Sequence, residues 1–318
     1  MLPTRNYSID SLKMFCAILV VLIHSQFLFK DIVFPLLRIA VPIFFMISGY
    51  FIYDENNAGQ KINRSIKSIF SIFIWSNLLF LLFKEVFSIA HHAIYVPDTN
   101  ELLKFIVFNE DPFGWHLWYI GAYLYLLLIV RFINKHNKWT LLFKSIPVLL
   151  IVHLALSYAG VDRIYYRNFL LMGLPFFSIG AYIRKTNIQP ASTNKSFFCI
   201  LLFAIASIAE KQFTSLNTEI YVSTIFLSIL IFKCFVNRKQ TKPSIVSRGG
   251  KEYSLDIYIF HGLFVLYFFP TLNGHCGIQW NRIYNSLSPV FILGATLIFA
   301  VIYKKMKQLM FQSYINGK

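Results

Sequence analysis

The sequence predicts an all-α, polytopic integral membrane protein with about ten transmembrane helices and both termini cytoplasmic. Three observations carry this expectation. Of 318 residues, 57% are hydrophobic and only 14% charged, with a mean hydropathy of +0.58. A soluble domain carries about 25% charged residues, so this chain cannot cover a water-facing surface. Apolar stretches of bilayer-spanning length, about 18 residues or more, recur from end to end. Finally, the basic residues fall unevenly between alternate connections. A formal net charge of +16 would suggest a nucleic-acid partner in a soluble protein; here its placement relative to a lipid bilayer explains it.

The stretches are 12–29, 33–53, 66–87, 115–133, 140–159, 168–183, 197–211, 219–236, 253–271 and 287–306, the sixth and seventh being the shortest. Lys13 precedes an apolar run of signal-anchor length with no small-residue cleavage site after it, so the first span is expected to be retained. An even number of spans puts both termini on one side, and lysine and arginine choose which. With the termini inside, 22 basic residues lie on the cytoplasmic side, Arg5 and Lys318 at its ends, with Lys233, Arg238, Lys239, Lys242, Arg248 and Lys251 as its densest group. Seven lie outside, namely Lys30, Lys84, Lys104, Arg163, Arg167, Lys211 and Arg282, and Arg38 falls within the second span. Most acids, Glu110, Asp111 and Glu219 among them, sit in the outer segments. The chain reads as a single transmembrane domain, 1–318. It contains one long extracytoplasmic loop, 88–114, in which Leu102–Phe108 suits a short interfacial helix and a partly ordered lid.

Other chemistries find no support. Cys16, Cys199 and Cys234 lie in or beside spans, and Cys276 stands apart in an outer loop, so no disulfide framework is expected. Zinc-ligand spacings, phosphate-binding loops, dinucleotide fingerprints and nucleophile elbows are absent from the sequence. No metal is expected, and any chemistry belongs to the membrane helices and their loops.

Ionisable residues inside spans are costly and by default mark function. Lys13 and His24 are eleven residues apart, which at 100° per residue returns them to one helix face about 16 Å apart. A ligand with an anionic head and a reactive tip would touch both, and coenzyme A thioesters have that shape. A lysine at a span's inner end is equally ordinary positive-inside decoration, and a buried histidine can simply bond a neighbouring helix. Arg38 suits either stabilisation of a developing oxyanion or outward snorkelling. Arg64 and Lys67, one turn apart at the start of span three, suit a phosphate clamp or the same inside bias. His116, His261 and His153 are further intramembrane histidines, whereas His91 and His92 fall in the outer loop. Pro42 and Gly49 in span two are weakly echoed by Pro175 and Gly180 in span six, an echo better explained by packing than by an internal repeat.

The run Ile9-Asp10-Ser11-Leu12-Lys13 followed by His24, and the run Val41–Tyr50 closing span two, resemble the membrane acyltransferase-3 family. Arg64-x-x-Lys67 is similar to its Arg-x-x-Arg element, and His116-Leu117-Trp118 and Tyr253–His261 match further landmarks. Members with an appended extracytoplasmic domain carry a glutamate where this chain has Tyr123, which places it with the compact members. The resemblance implies an enzyme of the bacterial inner membrane moving an acyl group, usually acetyl, from cytoplasmic acyl-CoA to a hydroxyl of a lipid-linked or polymeric surface glycan. Lys13, Arg64 and Lys67 would then hold the acetyl-CoA phosphates, and His24 would act as base or as transient acyl carrier. Arg38 would face the oxyanion, and His116, Trp118, Tyr258 and His261 would contact substrate. The rival expectation is a transporter or exporter of a glycolipid or small solute, which would also need many spans and buried charges but not the aligned Lys13–His24 axis.

Overall fold

The computed structural model describes residues 6–90, 92–187, 193–214, 217–238, 240–275 and 278–316. Arg5, His91, Lys239, Cys276 and Lys318 lie outside the described residues. The helices follow the apolar stretches: α1 (Tyr7–His24), α2 (Lys30–Leu37), α3 (Ala40–Ile52), α4 (Ala58–Ala90), α5 (Thr99–Phe108), α6 (Trp118–Lys135) and α7 (Trp139–Tyr158). They continue with α8 (Leu174–Thr186), α9 (Thr193–Thr214), α10 (Val222–Asn237), α11 (Ile245–Leu263), α12 (Phe269–His275) and α13 (Ile278–Asn316). No named strand forms among the described residues.

Seven helical segments are long and apolar enough to cross a membrane: Tyr7–His24, Lys30–Ile52, Ala58–Ala90, Trp139–Tyr158, Lys195–Thr214, Ile245–Gly274 and Asn281–Leu309. The other three predicted stretches, 115–133, 168–183 and 219–236, are helical without meeting both criteria. Their character explains this. In α8 every side chain from Leu174 to Ile183 except Tyr182 is buried, so this is a core helix of 13 residues wrapped by its neighbours. Within the long loop, α5 starts three residues before the predicted Leu102, because Asp98 and Glu101 form a reciprocal capping box.

Helix α1 begins five residues earlier than its apolar stretch, since the Asn6 side chain accepts from the Ser8 N–H at 3.0 Å. It ends on His24, not at residue 29. The predicted second span is two helices in series. Proline at position 42 has no N–H to offer the Arg38 carbonyl four residues back, and its ring crowds that carbonyl. The chain turns at Arg38 and Ile39 before α3 resumes the same direction of travel. The break places Arg38 at a helix junction where its side chain can leave the bundle axis.

The Pro42/Gly49 and Pro175/Gly180 echo has a packing origin. Helices α3 and α8 pack on one another, and a Cβ on Gly49 would overlap the Phe177 carbonyl while one on Gly180 would overlap that of Met46. Each glycine therefore seats the other helix's backbone, the small-residue contact that membrane helices use where water supplies no hydrophobic drive between them. Gly250 of α11 does the same against the Asp10 carbonyl of α1. These two seams fix α1 and α3 beside α8 and α11, and the chemistry-bearing residues lie between them.

Candidate active site

Two cavities open at opposite ends of one face of α1. The first, about 470 Å³, is walled by Lys13 of α1, Ser48 and Phe51 of α3, Lys61, Arg64 and Ser65 of α4, and Tyr123 of α6. Lys13 donates to Asp10 at 3.2 Å and Lys61 to Asp54 at 2.8 Å. Arg64 forms no ion pair among the described residues. Of the predicted pair, Arg64 lines this cavity and Lys67 does not, while Lys61, one turn before Arg64, lines it as well. Tyr123 stands in this wall.

The second cavity, about 370 Å³, is lined by Ile23 and His24 of α1, Phe34, Arg38, Trp115, Arg163, Arg167 and Glu219. His24, the last residue of α1, packs its ring edge-on to Trp115 with centroids 4.1 Å apart, and makes no hydrogen bond among the described residues. Its nitrogens are thus available to whatever occupies the cavity. Arg38 donates to Glu219 at 2.9 Å, and Arg167 stands 4.0 Å from Glu219 and 3.9 Å from Glu110. Glu219 lies in the short segment before α10. Burial pushes its carboxyl up, but Arg38, Arg167 and Arg163 outweigh burial and hold it below the usual range, ionised.

Behind His24 lies a packed group of rings. His261 stacks on His24 with centroids 5.4 Å apart and planes 19° from parallel, and its Nδ1 donates to the Ile257 carbonyl at 3.1 Å. His116 meets His261 edge-on at 4.9 Å and donates from Nε2 to the Ile259 carbonyl at 3.0 Å. The Tyr258 hydroxyl donates to the His116 carbonyl. Because both imidazoles donate to carbonyls, each carries its proton on the bonded nitrogen; the other nitrogens, His116 Nδ1 and His261 Nε2, are buried without a partner. Of the four residues expected to contact substrate, His116, Trp118, Tyr258 and His261, none lines either cavity. Three of them support His24, and Trp118 lies 5.3 Å under the Arg167 guanidinium. His153 sits apart, bonded to the Leu171 carbonyl.

The two cavities are joined by more than α1. Tyr123, in the first wall, stacks with Tyr119 at 6.2 Å, Tyr119 meets Tyr258 at 5.5 Å, and Tyr258 meets His261 at 6.1 Å. A line of rings therefore runs from the Lys13 cavity to His24. Sequence reasoning missed Arg163 and Arg167, which it placed in an outer connection, and Trp115 and Glu219, which it placed at the first residues of two predicted spans. The four-residue spacing of Arg163 and Arg167, on the side where basic residues are scarce, was the available signal.

Comparison with known proteins agrees with the resemblance. The family described as "Acyltransferase domain" matches residues 6–305. Among curated relatives, an "Amino-acid racemase" of Enterococcus faecalis is 23% identical, the alignment covering 92% of this chain and 46% of the relative. A "Serine/alanine racemase" of Enterococcus gallinarum is 21% identical over 81% of this chain and 40% of the relative. The chain thus spans less than half the length of these relatives. No solved structure matches. With nearly its whole length inside the family's match, the chain belongs to the membrane acyltransferase-3 family.

Proposed function

We propose that the protein transfers an acyl group, most simply acetyl, from cytoplasmic acyl-CoA to a hydroxyl of a lipid-linked or polymeric surface glycan in the bacterial inner membrane. In this reading all ten hydrophobic stretches cross, with both termini cytoplasmic. The observation that carries the proposal is the pairing of cavities: a basic one at Lys13 and a second at His24, about 16 Å apart along one helix. The CoA phosphates would rest on Lys13, Arg64 and the nearby Lys61, and Lys67 would contribute only long-range attraction. The pantetheine arm would run past Tyr123 and Tyr119 toward His24.

His24 faces the second cavity, where the acceptor would enter, and this favours a general-base role over an acyl-carrier role. The acceptor hydroxyl gives its proton to His24 while its oxygen attacks the thioester carbonyl. The C–S bond then breaks, a C–O bond remains, and the departing thiolate recovers the proton as CoA thiol. Arg38 would stabilise the intermediate oxyanion. The racemisation named in the relatives describes proteins matched over less than half their length, and it is not carried over to this chain.

The test supplies membranes holding the protein with labelled acetyl-CoA and glycan from the native host, followed by mass analysis for an added acetyl group. His24→Ala is expected to lower kcat by about 10²–10⁴-fold, the usual contribution of a positioned base. Lys13→Ala and Arg64→Ala are expected to raise KM for acetyl-CoA. Full transfer by the His24 variant, or unchanged KM in both others, would overturn the assignment.

A further inference from the structure

The His24 cavity is charged in a way that acyl transfer to a neutral sugar does not require. Three guanidiniums, Arg38, Arg163 and Arg167, line it against a single lining carboxylate, Glu219. Glu219 is committed to Arg38 at 2.9 Å, and Arg167 shares Glu219 and Glu110 only at 3.9–4.0 Å. Arg163 forms no ion pair among the described residues. The remaining wall is Ile23, Phe34, Trp115 and His24, so the surplus positive charge faces an apolar surface of low polarisability, where its field is strong.

Backbone geometry makes Arg163 and Arg167 a unit. The Arg167 N–H donates to the Arg163 carbonyl at 2.7 Å, closing one helical turn, and residues four apart in such a turn share a side. Asn168 then caps the next segment, accepting from the Leu170 and Leu171 N–H groups at 3.0 Å. Of the seven basic residues that the charge asymmetry assigns outside, two are thus placed at the mouth of the cavity that holds His24.

We propose that the acyl acceptor is anionic: a carboxylate or phosphate of the acceptor is held by Arg163 and Arg167 while its hydroxyl lies at His24. This inference rests on the acyltransferase reading of the same cavity and adds the class of acceptor. Paired guanidiniums offer forked donors that match either oxyanion. Glu219 keeps Arg38 from competing for the anion, which leaves Arg163, with the loosely paired Arg167 beside it, to hold it.

The experiment uses the full chain in lipid nanodiscs with labelled acetyl-CoA and three matched oligosaccharides: neutral, uronic-acid-bearing and phosphate-bearing. Retention of each oligosaccharide on the nanodiscs is measured without acetyl-CoA in parallel. At least one anionic acceptor is expected to exceed the neutral one about 10- to 100-fold in kcat/KM, the range for charge-assisted hydrogen bonds. The arm that succeeds separates carboxylate from phosphate. Arg163→Gln, which removes an exposed and unpaired side chain, is expected to bring that ratio close to one, and Arg163→Lys to restore part of it. Equal use of all three acceptors, or a ratio that survives in Arg163→Gln, overturns the proposal. If no acceptor is acetylated but anionic oligosaccharide is retained in an Arg163-dependent way, the anion site stands and the transfer reading fails. Absence of both transfer and retention overturns both.

Discussion

Replacing Glu219 by glutamine tests whether Arg38 is a scaffold or a participant in chemistry. The Arg38–Glu219 contact is 2.9 Å long, with side chains 17% and 7% exposed, so it is a largely buried, charge-assisted hydrogen bond. Removing one member of such a pair strands its partner's charge, at a cost of about 3–5 kcal/mol. Glu219→Gln belongs at the upper end, because it also removes the buried carboxylate that Arg167, itself only 9% exposed, approaches at 4.0 Å. Arg38→Gln should cost less, about 1.5–3 kcal/mol, the range for a hydrogen bond to a charged group, since Arg167 still attracts Glu219 at 4.0 Å. The double variant restores neutrality at the contact. Its loss should fall short of the sum of the single losses by about 3 kcal/mol, the top of the range for directly touching residues, which leaves it between the two single variants.

Two assays on the four proteins in nanodiscs separate the roles. Thermal unfolding is expected to rank wild type first, then Arg38→Gln, then the double variant, with Glu219→Gln last. If Arg38 only anchors Glu219, acetyl transfer recovers with stability in the double variant. If it meets the oxyanion, the double variant recovers stability yet stays about 10²–10³-fold low in kcat, as when one oxyanion donor is lost. Strictly additive melting shifts would refute the coupling on which the geometry of this cavity depends.

The helices were legible because each is a local property. Apolar runs such as Leu141–Tyr158 declare themselves over consecutive residues, and the shared face of Lys13 and His24 follows from helical periodicity alone. The cation-rich wall of the His24 cavity was not legible for the opposite reason. Arg38 and Glu219 are 181 residues apart in sequence, and no local pattern announces that they meet. Arg64 with Lys67 was the natural pair by spacing, but which turns of α4 line a cavity is set by tertiary packing, and the cavity beside Lys13 takes Lys61 and Arg64 instead. The ring support of His24 was half visible: His116, Tyr258 and His261 stood out as buried polar residues, but only the fold shows that they stand behind His24 and line neither cavity.

Two further perturbations probe the scaffold. Gly250→Ala should destabilise by about 1–3 kcal/mol, as overpacking does, because the added Cβ meets the Asp10 carbonyl and must part α1 from α11; Gly274→Ala, whose Cβ meets nothing within 4 Å, is the control and should melt like wild type. The second concerns Asp111, in the segment between α5 and α6. Its Oδ1 accepts from the Phe113 and Gly114 N–H groups at 3.0 Å, while its Oδ2 and the nearby Asn77 Oδ1 are both buried without partners. Burial pushes the Asp111 carboxyl up to about 7 against an ordinary 3.8, outweighing the Gly114 and Phe113 hydrogen bonds and the Asn77 amide that pull it down. The folded state therefore holds a proton that the unfolded chain releases, so stability is fullest below pH 3.8 and declines as pH rises through about 7. At 1.36 kcal/mol per pH unit the ceiling of this decline is about 4 kcal/mol. Melting curves of the wild type between pH 5 and about 8 should show the decline, and Asp111→Asn, neutral throughout, should flatten it. Equal slopes in the two proteins would mean that Asp111 is already ionised in the folded state and that its two backbone bonds alone stabilise the charge.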